Sequence, residues 1–457
     1  MSAPRTAITA AVNTALPAAR TDLESLVRIP SIWADPTHHE DTRRSASAVA
    51  ELARQSGAAS VEVIAAEGGA PAVLAHWPAE HASAPTMLLY AHHDVQPTGD
   101  EKLWTSPPFE PTERNGRLYG RGAADDKAGV LLHLSVLRAF RSLPVGLPVN
   151  VTLFIEGEEE SGSPTLPALL AQYHERLAAD IIVIADSGNP ATDVPALTTS
   201  LRGLVDCTVE VALLQHPVHS GVYGGPLGDA LTTLCRLLAT LHNDKGQVAV
   251  PGLVHGTARK LPEPHLDEAA FRDEAGVLDG VELLGTGTLA ERLWYQPAIA
   301  VLGIDAPSVA QVANVLLPTA RAAVSLRLAP GDDPARAQRS LTEYLRAHAP
   351  WGARVTVTPG TAAAPFELDP VGAVYDLARR TFAEAYGKAA VEIGIGGSIP
   401  FIGEFARSFP GAAVLVTGVG DPASRWHGID ESLHLGMFAR AVLAEAFLLA
   451  ELGATRA

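Results

Sequence analysis

Apolar residues along the chain fall into two patterns, and the first predicts a sheet covered on both faces. Short continuous apolar runs without alternation are typical of strands that lie between two layers of helices. These runs are residues 87–91, 151–155, 181–185 and 412–416. Segments with apolar residues at helical spacing lie between or after them, at 127–141, 370–386 and 437–452. The pattern predicts an α/β layered domain with a mostly parallel central sheet.

The second pattern is a strict alternation of apolar and polar residues, which indicates a sheet with one face in water. It runs through residues 205–211, 324–328 and 354–358, with helices predicted at 229–241 and 333–347. We therefore expect a smaller α+β sandwich inserted into the first domain. The expected boundaries are 1–202 for the first part of the larger domain, 203–364 for the insertion and 365–457 for the second part.

Length and composition restrict the class of protein. A chain of 457 residues with 47% hydrophobic and 19% charged residues is typical of a globular protein with two domains. Residues 5–20 are Ala-rich, but Asn13 and Pro17 interrupt the apolar stretch, so we interpret the segment as a surface helix rather than a signal peptide. No window reaches the roughly 20 apolar residues of a membrane span. Without such a span or a signal peptide, we expect a cytoplasmic location. The net charge of −17 repels phosphates and anionic lipids, so we expect neither nucleic acid nor membrane as partner.

Each continuous apolar run leads into histidine or acidic residues. The groups are His92-His93-Asp94, the acidic run 156–160, Asp186, and His427 in the loop beyond the fourth run. Ligands of open α/β sheets bind at the carboxyl ends of the strands, so these side chains are expected to meet in one crevice. Each group also has an ordinary alternative, such as a solvated acidic surface. Asp125-Asp126, for example, could simply cap the helix predicted at 127–141.

Together these residues have the composition of a metal centre. The two cysteines cannot form a paired zinc knuckle, so nitrogen and oxygen must hold any metal. If Asp125 bridges two divalent ions, His92 and Asp186 complete one site. Glu160 and His427 then complete the other. Two metals about 3.5–4 Å apart can activate a shared water. Zinc is the expected metal, with manganese or cobalt as alternatives for the same ligands.

Residues beside the ligands supply candidates for the supporting roles. Glu159 would be the general base, because it adjoins a ligand without being one. Three consecutive glutamates nevertheless leave that register open. Asp94 would orient the imidazole of His92. We assign the ligand to His92 rather than His93 because His92 keeps the two-residue offset from Asp94.

Six motifs in order along nearly the whole chain resemble the family of co-catalytic zinc peptidases that includes carnosinase, carboxypeptidase G and aminoacylase. They are YAHHDVQP at 90–97, LYGRGAADDK at 118–127, EGEEESGS at 156–163, HSGVYGG at 219–225, GGSIP at 396–400 and HGIDE at 427–431. The first and fourth are most similar to the carnosinase-like dipeptidases. The resemblance implies that Glu159 is the base and Glu160 the ligand. It also implies a cis peptide bond between Asp125 and Asp126.

The resemblance further implies how substrate is held. His219 in the insertion would reach the active site of the partner subunit and polarise the scissile carbonyl, so the active form would be a homodimer with the insertion as lid and dimerisation domain. The terminal carboxylate of the substrate would be bound by Arg327, Gly397 and Ser398. Arginine suits this task because its planar guanidinium binds carboxylates with two parallel hydrogen bonds.

The expected function is therefore metal-dependent hydrolysis of dipeptides or short peptides with a free C-terminal carboxylate. A metal-bridging water, deprotonated by Glu159, would attack the amide carbonyl. An N-acyl-amino-acid deacylase of the aminoacylase type, using the same dinuclear site, is the alternative. A non-catalytic amino-acid or peptide binding protein is less favoured, because every catalytic position is filled.

Overall fold

The computed structural model describes residues 3–81, 83–257, 266–396 and 400–454. Within these ranges the central feature is a six-stranded sheet. Its strands in spatial order are Ser60–Ile64, Ala72–Trp77, Asn150–Glu156, Thr86–His92, Ile181–Ile184 and Ala413–Val416. All four continuous apolar runs form strands of this sheet, and these four are mutually parallel. The prediction of a mostly parallel α/β sheet is confirmed.

Helices cover both faces of the sheet. One face packs against Arg5–Val27, His39–Gln55, Lys127–Arg141, Ala373–Tyr386 and Leu435–Ala454. The other face packs against Leu166–Gln172, His174–Leu177 and Pro400–Ser408. Successive strand residues point to opposite layers, so Leu89 belongs to the first core and Leu88 and Tyr90 to the second. Burial on both sides explains why these strands read as unbroken apolar runs.

Two predicted helices have different bounds in the structure. The N-terminal helix, predicted over residues 5–20, runs over Arg5–Val27 with Pro17 inside it. Its residues Ile8 and Leu23 are buried in the core, and this packing outweighs the hydrogen bond that proline removes. The helix predicted from residue 370 begins at Ala373, because Gly372 has a φ of 121°, which no helix accommodates.

The insertion contains its own antiparallel sheet and its own core. The strands in spatial order are Ala298–Asp305, Thr319–Leu328, Gly203–Ala212 and Arg354–Ala363. Helices Ala230–Ala239 and Pro334–Ala347 cover one face. Asp229 and Asp333 cap them by accepting hydrogen bonds from backbone N–H groups. The expected α+β sandwich is confirmed, while its boundaries at 203 and 364 stay a prediction.

Smaller elements connect the two cores. A three-stranded sheet contains Phe366–Glu367, Ala196–Leu201 and Val391–Ile395, and another contains Ser432–His434, Arg117–Tyr119 and Thr112–Arg114. The π-helical segment Glu291–Tyr295 packs Trp294 on Ile393. The remaining elements are Val218–His219, Val315–Leu316, Ser220–Tyr223, Glu268–Glu274 and the 3₁₀ turns Pro36–His38, Glu101–Leu103, Glu159–Ser161, Val309–Gln311 and Pro350–Gly352.

None of the helices in the described ranges combines the length and the hydrophobicity that a membrane-spanning segment requires. The cytoplasmic location stays a prediction.

The separate core of the insertion leads to a stability prediction. Leu326 is fully buried there, so Leu326→Ala should lower the free energy of unfolding of the insertion by about 2–5 kcal/mol. Native-state hydrogen exchange of the amides of strand Gly203–Ala212 measures this quantity. Leu278 is 76% exposed, and the control Leu278→Ala should cost less than about 0.5 kcal/mol. Equal exchange in the two variants would show that the second core is not where the structure places it.

Candidate metal centre and active site

The carboxyl ends of two parallel strands place His92 and Asp186 next to Asp125, which lies in the loop before the helix Lys127–Arg141. His92 is the last residue of its strand, and its Nε2 atom lies 3.3 Å from Asp125 Oδ1 and 3.9 Å from Asp186 Oδ2. The imidazole is fully buried, yet Nε2 has no hydrogen-bond partner among the described residues. A buried polar atom without a partner is costly unless something else binds it. This is the position of the first predicted metal site.

The other oxygen of Asp125 faces a second imidazole. His427 Nε2 lies 3.0 Å from Asp125 Oδ2 and 3.2 Å from Glu160 Oε2. The structure therefore brings together all five predicted ligands, with Asp125 in the middle. Each carboxylate oxygen of Asp125 points to a different histidine, as a bridging ligand between two ions requires. The ligand roles themselves stay a prediction.

The electrostatics of the cluster favour bound cations. Burial raises the pKa of Asp186 to about 7, and the charges of Asp125 and Glu160 add to that effect. Burial and the charge of Asp125 likewise raise the pKa of Glu160. Hydrogen bonds to Asp125 and Glu160 raise the pKa of His427 to about 10. Carboxylates packed this closely are stabilised by a positive counter-charge, and imidazole and carboxylate are ligands that zinc accepts. The donor set fits divalent ions.

Asp126 lies beside the cluster, but its carboxylate is already occupied. Potential ligand atoms of Asp126, His92 and Asp186 also lie within 4.8 Å of one another. The Asp126 carboxylate accepts hydrogen bonds from the N–H groups of His92, at 3.2 Å, and Gly129, at 3.1 Å. It therefore caps the helix Lys127–Arg141, the ordinary role considered for this pair. The peptide bond between Asp125 and Asp126 is cis, as the resemblance implied.

The three consecutive glutamates point in different directions. Glu158 turns away from the cluster, since its carboxylate accepts hydrogen bonds from the N–H groups of Ala70 and Thr165. Glu159 Oε2 lies 3.8 Å from His92 Nε2, and the Glu160 carboxylate contacts His427. This geometry supports the register in which Glu160 is the ligand and Glu159 stands beside it.

Asp94 connects the first ligand to the glutamate turn. Its Oδ1 atom lies 3.3 Å from His92 Nδ1 and accepts a hydrogen bond from the Glu159 N–H at 3.1 Å. Its Oδ2 atom accepts one from the Glu160 N–H, also at 3.1 Å. The carbonyl oxygen of Asp94 is closer still to His92 Nδ1, at 3.1 Å. Asp94 therefore orients the imidazole through both its backbone and its carboxylate, and the same carboxylate holds the turn Glu159–Ser161. The geometry suits the orienting role predicted for Asp94.

His93 is placed outside the cluster. Its Nε2 atom is 2.8 Å from the carbonyl oxygen of Pro71, and burial lowers the pKa of this imidazole to about 4. A neutral ring that donates to a carbonyl in this way is a packed core histidine. The geometry supports His92 as the ligand.

Glu431 is a functional residue to which sequence reasoning assigned no role. It is fully buried and accepts hydrogen bonds from the N–H groups of Ala124, at 2.9 Å, and Asp125, at 3.0 Å. Its other oxygen accepts from the Gly122 N–H at 3.1 Å and from Arg121 Nη1 at 2.6 Å. Glu431 thus holds the loop that presents Asp125. The only signal was its place at the end of the HGIDE motif.

The residues predicted to bind substrate are spread over several elements. Exposed His219 caps the short helix Ser220–Tyr223, and its Nδ1 atom accepts the Gly221 N–H at 3.0 Å. Arg327 is half-buried on strand Thr319–Leu328, and burial lowers the pKa of its guanidinium. Gly397 and Ser398 lie outside the described residues.

Arg202 is a second arginine near Arg327 that sequence reasoning missed. Burial, together with the charge of Arg327, lowers the pKa of Arg202 to about 10. Its Nε atom is buried without a hydrogen-bond partner among the described residues. A side chain at Gly396 would place its Cβ 2.6 Å from Arg202 Nη2, so glycine there gives this guanidinium room. The proximity of two arginines far apart in sequence left no local signal.

Comparisons with known proteins agree on one family. The model of peptidase family M20/M25/M40 matches residues 88–451. The cysteinylglycine-S-conjugate dipeptidase of Corynebacterium striatum is 39% identical over 371 residues, which cover 80% of this chain and 81% of that protein. The Cys-Gly metallodipeptidase DUG1 of Saccharomyces cerevisiae is 26% identical over 451 residues, 91% of each chain. The human Beta-Ala-His dipeptidase is 32% identical over 273 residues, 57% of this chain and 53% of that protein.

Solved structures show the same fold. Human carnosine dipeptidase 1 aligns with a TM-score of 0.84 at 24% identity, covering 99% of this chain and 100% of that chain. The dipeptidase Dug1p from Saccharomyces cerevisiae aligns with a TM-score of 0.83 at 22% identity, covering 99% of both chains. The layered domain with an inserted smaller domain is therefore the architecture of these proteins too.

The placement of the two adjacent histidines predicts different metal contents for two variants. His92→Ala should lose at least one bound metal per subunit, because Nε2 faces Asp125 and Asp186. His93→Gln should keep the wild-type metal content, because His93 faces Pro71. Elemental mass spectrometry of the purified proteins measures the metal content of both variants, and circular dichroism is the control for folding. Loss of metal from the His93 variant alone would reverse the assignment.

Proposed function

The chain belongs to peptidase family M20/M25/M40, and from this membership we propose that it hydrolyses dipeptides or short peptides with a free C-terminal carboxylate. One observation carries the proposal, namely the convergence of the five predicted ligands His92, Asp125, Glu160, Asp186 and His427. Dipeptides are the substrates in the names of the bacterial, yeast and human relatives, which supports a dipeptide here.

The metal centre would hold two divalent ions, with zinc as the proposed metal and manganese or cobalt as alternatives. Asp125 would lie between the ions, with His92 and Asp186 on one side and Glu160 and His427 on the other. When bound, such ions lower the pKa of a water molecule and polarise the scissile carbonyl. Asp94 keeps the His92 imidazole oriented through the contact at Nδ1.

Glu159 would carry the proton between water and leaving group. Its carboxylate lies beside the cluster, 3.8 Å from His92 Nε2. The closer contacts with the two histidines are made by Asp125 and Glu160. Burial raises the pKa of Glu159 well above its usual range, which favours uptake of a proton. The carboxylate would take a proton from the attacking water and deliver it to the amine of the departing amino acid.

The terminal carboxylate of the substrate would bind at the paired arginines. Arg327 was the predicted partner, and Arg202 beside it adds a second guanidinium with a buried Nε atom. Two partly buried positive charges suit one carboxylate, since a bidentate hydrogen bond to arginine is both strong and directional. Gly397 and Ser398 stay proposed partners of the same carboxylate.

Replacement of the proposed base should separate chemistry from metal binding. Glu159→Gln should reduce dipeptide turnover by about 100-fold or more, because general acid-base catalysis contributes that much. Metal content should stay at the wild-type level, since the amide keeps the shape of the side chain. Glu158→Gln is the matched control, and it should retain turnover because Glu158 faces Ala70 and Thr165. Near-wild-type turnover in Glu159→Gln would refute the assignment.

The active form is proposed to be a homodimer in which His219 enters the partner's active site. Strand Ala298–Asp305 is at the edge of the inserted sheet and exposes Val301 (42%), Leu302 (68%) and Ile304 (42%). An exposed apolar edge strand is a natural interface with another chain. In that arrangement the His219 imidazole would donate a hydrogen bond to the scissile carbonyl of the neighbouring site.

Mixing two inactive variants tests this arrangement. His219→Ala and Glu159→Gln should each be inactive alone, because every site lacks one group. After mixed dissociation and reassociation in equal amounts, half of the dimers are heterodimers. Each heterodimer has one site that takes Glu159 from one subunit and His219 from the other. About a quarter of wild-type activity should therefore return, as two-fold symmetry requires. No recovery, with heterodimers confirmed by native mass spectrometry, would mean that His219 acts within its own subunit or not at all.

A further inference from the structure

Segments that neighbour predicted metal ligands in the sequence line a cavity of about 560 Å³. Two of its wall segments are continuous in sequence with predicted ligands. Residues 188–190 follow Asp186 by one residue, and residues 425–426 directly precede His427. A group bound in the cavity would therefore contact the segments that carry Asp186 and His427, although these two side chains are not among its walls. Arg202 and Arg327, proposed for the terminal carboxylate, are not among its walls.

The inner wall is the indole ring of Trp426. A Cβ atom at Gly420 would lie 1.6 Å from this ring, and one at Gly188 would lie 2.6 Å from it. Both positions therefore need glycine for the ring to pack where it does. Trp426 remains 38% exposed, although it packs on two backbone segments. The ring is thus a fixed apolar surface that lines the cavity.

The walls that face Trp426 are also mostly apolar, with a few acidic residues among them. Phe271 comes from helix Glu268–Glu274, Trp294 from the segment Glu291–Tyr295, and Ile393 from the strand below. Asp267 and Glu274 are exposed on the helix side, and burial and the charge of Asp421 raise the pKa of Glu274. Among the wall residues Arg425 is basic, whereas Asp267, Glu274 and Asp421 are acidic. The walls therefore favour an apolar group, and their balance of charge disfavours a carboxylate.

We propose that this cavity binds the side chain of the N-terminal residue of the dipeptide and selects a bulky apolar side chain, such as an aromatic one, over a small or acidic one. The inference rests on the proposed function, which assigns the opposite end of the substrate to the paired arginines. An aromatic side chain buries about 150–250 Å² of surface and could pack against the aromatic walls of the cavity. The methyl group of alanine would leave most of the cavity unfilled. The wild-type enzyme should therefore prefer Phe-Gly to Ala-Gly by about tenfold or more in kcat/KM, and should disfavour Glu-Gly.

Filling the cavity tests the assignment. Ala270 lines it from helix Glu268–Glu274, and Ala270→Trp should reduce the Phe-Gly to Ala-Gly ratio of kcat/KM by about tenfold or more. Ala269 is on the same exposed helix but does not line the cavity, so Ala269→Trp is the matched control and should keep the wild-type ratio. Circular dichroism and metal content confirm that both variants fold and bind metal.

A second substrate series determines which end of the dipeptide occupies the cavity. The ratio of kcat/KM for Gly-Phe to kcat/KM for Gly-Ala should be the same in the wild type, Ala270→Trp and Ala269→Trp. A change confined to this series would place the C-terminal side chain in the cavity and overturn the proposal, as would an unchanged Phe-Gly to Ala-Gly ratio in Ala270→Trp. If either contrary result is found while Ala-Gly is still hydrolysed, only the cavity assignment fails and the proposed dipeptidase function stands. No hydrolysis of any of these dipeptides by the metal-loaded wild type would refute both.

Discussion

The site depends on the burial of one carboxylate, Asp125, between two imidazoles. One oxygen is 3.3 Å from His92 and the other 3.0 Å from His427, although these residues are far apart in the sequence. Burial alone would raise the pKa of Asp125, but its contacts with His427 and His92 outweigh this effect and lower that pKa. The acidic neighbours Glu160 and Asp186 cannot all stay charged beside it without a cation. Metal binding is therefore the natural completion of this arrangement.

Backbone N–H groups are what keep the cluster rigid. Three further buried carboxylates accept hydrogen bonds from loop N–H groups: Asp94 from the glutamate turn, Asp126 from the helix start and Glu431 from the loop that precedes Asp125. Each carboxylate fixes one segment that carries a ligand or the proposed base. Ligand geometry of this kind is set by surrounding hydrogen bonds as much as by the ligands themselves.

Much of this could be predicted because it is local. The run at 87–91 indicates a buried strand by its lack of polar residues, and the acidic or histidine residue that follows such a strand lies at the sheet's carboxyl edge. Features that depend on distant packing could not be read in this way. Glu431 acts on a loop about 300 residues earlier, Arg202 meets Arg327 only in the fold, and Pro17 is tolerated because its helix packs on the core. The walls of the cavity beside Trp426 likewise come from separate segments.

Release of free amino acid from a panel of dipeptides and N-acetylated amino acids tests the central claim most directly. The purified protein is assayed as isolated, after a chelator, and after zinc or manganese is added back. Dipeptides should be cleaved faster than acylated amino acids, the chelator should abolish cleavage, and added metal should restore it. Preferential cleavage of the acylated amino acids would contradict the dipeptidase assignment in favour of a deacylase. Cleavage that survives complete removal of metal would contradict the metal centre itself.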